Sequence, residues 1–109
     1  MKEKINKELI DEITLRLVKV YKPLAIYLFG SYVWGNPSES SDVDFFIIVD
    51  NSESDPAERI RIGLRELKDI RADVDLLVFT AGEVNSREKH PSTLTHKIIT
   101  RGVKVYAAA

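Results

Sequence analysis

The sequence predicts a small α/β (α+β) domain, one mixed β-sheet flanked by helices. Three observations predict it. Four runs have strand length: 25–29, 43–49, 74–79 and 103–106. Stretches with helical periodicity separate them, giving the order α-β-α-β-α-β-α-α-β, which is that of a sandwich around a single sheet. The 109 residues fit one domain with one core. That domain is expected over residues 1–106, with a leading helix at 3–21 and a core from about 24 to 106. Ala107-Ala108-Ala109 is read as an appended tail outside the fold.

Each element has its own signal. Ile5, Leu9, Ile13, Leu17 and Val20/Tyr21 recur at helical spacing with charges opposite them, so 3–21 reads as an amphipathic helix. Lys22-Pro23 ends it, because the residue before proline is pushed out of the α region. The short apolar run 25–29 follows. Ser31 to Gly35 reads as one helical turn with Ser31 as its N-cap, and 36–41 as a polar loop. Val43 to Val49 is apolar on both faces, as a central strand should be. Asp55-Pro56-Ala57-Glu58 combines a capping acid, proline at the first helical position and Glu at the third. Ala57, Ile60, Leu64, Leu67 and Ile70 then form the stripe expected to be buried. After the strand at 74–79, Thr80-Ala81-Gly82-Glu83 reads as a capping box opening a helix to about Lys89. His90-Pro91 breaks that helix. Ser92 or Thr93 starts the last one, which buries Leu94 and Ile98 and stops at Gly102. Val103-Lys104-Val105-Tyr106 alternates like an edge strand.

Composition narrows the function classes. Apolar residues make up 44% and charged residues 30%, an ordinary globular balance. The net charge of -1 gives no general attraction to nucleic acid, so no direct nucleic-acid partner is expected. No apolar run is long enough to span a bilayer, and no membrane partner is expected. Residues 1–8 are charged with no apolar stretch after them, so no signal peptide is expected. The absence of cysteine excludes disulfides and Cys-based zinc sites and agrees with a cytoplasmic protein.

The chemistry concentrates between Phe29 and Val49. Asp42 and Asp44 are spaced i, i+2 at the mouth of a strand and so project to one side. Charges entering a buried run are costly unless paired or bound to a cation. Hard divalent cations take carboxylate oxygens and commonly share them with substrate phosphates. Asp75 stands at the mouth of the next buried strand; if the two strands are neighbours, three carboxylates converge, which suits two-metal phosphoryl or nucleotidyl transfer. Asp73 competes with Asp75 from the same face two residues earlier, but Asp75 lies within the apolar run. An isolated Asp-x-Asp is more often a plain loop-to-strand junction. Gly30-Ser31 adds the second half of a site. Glycine allows close backbone approach, amides at a helix start favour anions, and the Ser31 hydroxyl offers a donor to a phosphate oxygen.

Gly30-Ser31, ten residues, then Asp42-x-Asp44 resembles the signature of the DNA polymerase β-like nucleotidyltransferase superfamily. The short length, Val74-Asp75-Leu76 and the closing Arg101-Gly102-Val103-Lys104-Val105-Tyr106 look like its minimal nucleotidyltransferases (MNT). The resemblance implies the polymerase β-like fold. It implies that Asp42, Asp44 and Asp75 bind two Mg²⁺ as the catalytic acids, and that Gly30 and Ser31 hold the triphosphate. It implies transfer of NMP, in the first instance AMP from ATP, to an acceptor with release of pyrophosphate. Many minimal members pair with a small helical HEPN toxin, and some act as antitoxins by adenylylating a tyrosine on it. The implied protein is thus a protein adenylyltransferase and antitoxin, in a hetero-oligomer or a homodimer. Two alternatives stand beside it: a catalytically weak antitoxin acting by complex formation, and a transferase acting on a small molecule such as an aminoglycoside. One departure is visible. The related motif often reads Gly-Ser-x-Ala-Arg-Gly, and here Trp34 holds the arginine position. The chain has few residues to spare for an acceptor module, so the acceptor surface is expected on a partner.

Other residues have plainer readings. Trp34, Tyr32 and Tyr27 read as partly buried packing residues that could also stack on a base. Lys97 and Arg101, four apart, read either as cations for a triphosphate or as a solvated face. Arg59, Arg61, Arg65, Lys68 and Arg71 interleave with acids and read as a solvated face or partner surface. His90 and His96 lack ligand spacing; His90 reads as a helix-end residue and His96 as exposed.

Overall fold

The structure, a computed structural model, describes residues 5–36 and 42–109. Helix α1 spans Lys7–Tyr21. It starts later than expected because Asn6 takes the N-cap, its side chain accepting from the Leu9 N–H at 2.8 Å; residues 3 and 4 lie outside the described residues. Ile10, Ile13 and Leu17 form its buried stripe. It ends at Lys22 as expected, but by a left-handed residue (φ 49°) whose N–H donates to Val18 O.

The strands are β1 (Ala25–Phe29), β2 (Asp42–Val49), β3 (Asp73–Thr80) and β4 (Val103–Ala107). They form one sheet in the order β3-β2-β1-β4. β1 runs antiparallel to β2 and β4, and β2 runs parallel to β3, so the sheet is mixed as expected. A parallel pair needs a crossover, and α3 (Pro56–Glu66) supplies it. The expected loop at 36–41 lies, apart from Asn36, outside the described residues. β4 reaches one residue further than expected: Ala107 pairs with Ala25, and the Ala108 N–H donates to Leu24 O at 2.9 Å.

The period of two along each strand divides the sheet into two faces. Val43, Phe45, Ile47 and Val49 join Ile26, Leu28, Leu76 and Val78 beneath Ile13 and Leu17 of α1. On the other face Tyr27, Phe29, Phe46 and Ile48 meet Val84 of α4 (Ala81–Glu88) and Ile98 of α5 (Leu94–Arg101).

Helix α3 turns differently from its apolar pattern. Asp55 caps it through the Glu58 N–H at 2.9 Å, with Pro56 at the first position, as the sequence predicts. Of the expected stripe Leu67 is buried and Ile60 and Ile70 pack against the core, but Ala57 is exposed, Leu64 is 40% exposed, and Arg59 and Gly63 turn inward instead. Arg59 is therefore not part of a solvated face. Its guanidinium pairs with Glu83 at 2.7 Å and also donates to Ser54 O and Val78 O. Gly63 lets α3 close onto its neighbours: a Cβ there would lie 2.6 Å from Leu76 Cδ1 and collide with Tyr21. In α5 the inward residues are Thr95 and Ile98, and Leu94 is 49% exposed, contrary to expectation. Gly102 stops the helix in extended rather than left-handed backbone. Among the described residues no helix is long and apolar enough to cross a membrane.

Candidate active site

The register brings the sequence-predicted residues to one edge. Phe29 pairs with Asp44, and Asp44 pairs with Asp75. The end of β1 and the mouths of β2 and β3 therefore meet, and Gly30, Ser31, Asp42, Asp44 and Asp75 come together there. Asp73 lies opposite Asp42, one rung further out. Asp75, not Asp73, acts on Asp44.

Gly30 is shaped by this meeting. Its φ of 80° is a left-handed conformation that favours glycine. A Cβ there would collide with Asp44 Oδ2, so only glycine lets the turn close on the acid. Gly30, rather than Ser31, is the N-cap of the short helix α2 (Ser31–Trp34), and its carbonyl accepts from the Val33 and Trp34 N–H groups at 3.0 and 2.8 Å. Ser31 is thereby moved onto the first helical position, and its Oγ donates to Asp42 Oδ1 in a long contact of 3.4 Å.

The acids are electrostatically coupled. The Asp44 carboxyl is pushed up to about 6, first by burial, then by the charge of Asp75 and a hydrogen bond between the two carboxyls, and last by Asp42. Among the described residues no three acid side chains stand as a preformed ion-binding cluster. The donor chemistry nonetheless fits a hard divalent cation: oxygen-only ligands, one with its charge opposed by the other two. Such an ion would favour the ionised form that burial now disfavours.

Two features of this face escape a reading of the sequence. A groove of about 240 Å³ opens beyond the acids, lined by Phe46, Leu77, Phe79, Arg87, Leu94 and Ile98 among others. Phe46 and Leu77 stand two residues after Asp44 and Asp75, so groove and acids share one sheet face. Helix α5 also clasps α2. The Trp34 Nε1–H donates to Arg101 O at 3.1 Å, Lys97 Nζ lies 4.2 Å from the centre of the indole, and the Phe29 ring is 6.2 Å away. Trp34 is thus the packing residue expected. His96 is half-buried rather than exposed, its Nδ1–H donating to Glu88 O at 2.7 Å across the α4–α5 junction. His90 is exposed just past the end of α4.

Known proteins resemble this arrangement. The family model described as Polymerase beta, Nucleotidyltransferase matches residues 8–109. A candidate nucleotidyltransferase from Sulfolobus solfataricus superposes with a TM-score of 0.57 at 27% identity, over 72% of this chain and 70% of that one. Two mutant forms of the toxin–antitoxin pair MntA–HpeT superpose with a TM-score of 0.58. Their identities are 24% and 21%, over 95% of this chain and 74% and 75% of theirs. No curated protein matches the chain.

Proposed function

Since the chain belongs to the polymerase β nucleotidyltransferase family, we propose that it transfers AMP from ATP to a hydroxyl of a protein partner, as the cytoplasmic antitoxin of a toxin–antitoxin pair. One observation carries the reading: Gly30 closes on Asp44 at the edge where Asp44 pairs with Asp75. A phosphate-approaching turn and three carboxylates are then parts of one site. In the reaction the acceptor oxygen bonds to the α-phosphorus, the bond from that phosphorus to the bridging oxygen breaks, and pyrophosphate leaves. The acceptor's proton passes to solvent.

Gly30 and Ser31 hold the triphosphate, the glycine by leaving room and the serine through its hydroxyl. Asp42, Asp44 and Asp75 would hold Mg²⁺ as a pair of ions. Bound there, the ions neutralise phosphate charge and ease deprotonation of the attacking hydroxyl. The fold shared with the MntA–HpeT structures supports a toxin protein as acceptor, and a HEPN-type toxin is the specific partner proposed. To test this, the protein, the product of its adjacent reading frame, Mg²⁺ and ATP labelled at the α-phosphate are incubated together. Label should appear on the partner with wild type and be lost with Asp44→Asn. A wild type that never labels its partner overturns the assignment.

A second reading, neutralisation by complex formation alone, is favoured by Trp34, which packs against α5 where the related motif carries a cation. The double variant Asp42→Asn/Asp44→Asn separates the two. Continued protection against the toxin supports occlusion, and lost protection with an intact complex supports catalysis.

A further inference from the structure

We propose that Lys97, mounted on the Trp34 ring, binds the distal phosphates of the nucleoside triphosphate; the inference rests on the nucleotidyltransferase reading above. The stretch bearing the turn and the first two acids, residues 24–49, contains no Lys or Arg, and neither does 72–86, which bears Asp75. A triphosphate brought beside three carboxylates meets strong repulsion. The site's own strands supply no cationic side chain to offset it beside bound Mg²⁺.

Helix α5 brings one. Thr95 and Ile98 pack it onto the same sheet face that carries the acids. Leu94, Lys97 and Arg101 then form one stripe, at i, i+3 and i+7. Its C-terminal part faces α2, because Lys97 lies over the indole and Trp34 donates to Arg101 O, while Leu94 lines the groove. Trp34 is in turn tied to the phosphate turn, its N–H donating to Gly30 O at 2.8 Å. The residue whose ring carries the ammonium therefore stands one helical turn after the glycine that closes on Asp44.

The mounting suits the role. Among the described residues Lys97 makes no ion pair, and its ammonium rests on the indole. A cation–π contact at an exposed position is worth only about 0.5–1 kcal/mol. It orients the amine without neutralising it, and so leaves its charge for an anion. A lysine serves phosphate as a compact point charge at the end of a flexible stem. The cation that Trp34 displaces from α2 is thus returned from α5.

The test uses the whole protein and a binding readout, since Trp34 is the only tryptophan of the chain. MgATP should change its emission saturably, which locates the ligand beside the ring. Dissociation constants for MgATP and AMP are then measured by calorimetry for wild type, Lys97→Gln and Lys97→Arg. Lys97→Gln should weaken MgATP about tenfold and leave AMP, which lacks the distal phosphates, within about twofold. Lys97→Arg should recover most of the loss. Equal MgATP affinity in wild type and Lys97→Gln overturns the role of Lys97 and leaves the nucleotidyltransferase reading standing. A wild type that binds no MgATP overturns both.

Discussion

Asp44 is the residue where function and stability part company. Burial and two neighbouring acids oppose its charge and raise it from 3.8 to about 6. An acid raised on folding costs stability once it ionises: the folded protein loses stability as pH rises from about 4 to 6 and carries the full cost above that. The side chain is only partly buried, so solvent screening cuts the cost to about 1 kcal/mol at neutral pH. In chelator at pH 7, Asp44→Asn should therefore melt about 4 °C or more above wild type, while losing transfer by at least about 100-fold. Mg²⁺ should raise the wild-type melting temperature and leave the variant unmoved. A variant that melts lower in chelator would show that the carboxylate stabilises the fold and is not strained by it.

Among the elements, α3 shows how much of the fold can be read in advance. Its start was legible, because Asp55, Pro56 and Glu58 act within one turn of each other. So were the strands and the candidate site, whose residues flank the apolar runs and inherit their side from the period of two. The inward face of α3 was legible only in part, at Ile60, Leu67 and Ile70. Hydrophobicity favours Leu64 as buried and Arg59 as solvated, and the structure has them reversed because Arg59 meets Glu83 and Val78 O, which lie 24 and 19 residues away. The Lys97–Trp34 contact is hidden for the same reason; Asp75 is preferred over Asp73 from its place in the apolar run, but its pairing with Asp44 needs the register with β2. Two predictions follow from α3 and its partner helix. Gly63→Ala gains helix propensity of about 1 kcal/mol but forces a methyl into Tyr21 and Leu76, so it should destabilise by about 1–3 kcal/mol in urea denaturation. Glu83 holds the Thr80 N–H at 2.8 Å and Arg59 at 2.7 Å, and these contacts lower its carboxyl below the usual 4.5, the Thr80 N–H most of all. An acid depressed on folding stabilises above its unfolded value and loses that contribution as pH falls through the folded one. Glu83→Gln should thus be less stable than wild type at pH 7, and the gap between their melting temperatures should shrink below about pH 4.5. A gap independent of pH would remove the charge from the account and leave only the cap.

At the scale of the whole molecule the two faces of the sheet do different work. The face under α1 and α3 holds the larger core, with Phe45, Ile47, Ile13 and Leu17 fully buried. The acid-bearing face is covered by α4 and α5, whose buried residues are Val84 in the first and Thr95 and Ile98 in the second. Local opening free energies follow buried apolar contact, and binding elements come from the less stable end of that range. Amides of β1, β2 and α1 should therefore exchange with solvent only through global unfolding, and those of α5 through a smaller opening. Saturating MgATP should then slow α5 more than α1, because a nucleotide held by Gly30 and Lys97 ties the helix to the turn, whereas α1 gains only what the whole protein gains. Hydrogen exchange read by mass spectrometry checks both statements. Equal protection of α1 and α5 without nucleotide would contradict the division into a stable and a working face. Equal slowing with nucleotide would place the ligand away from α5.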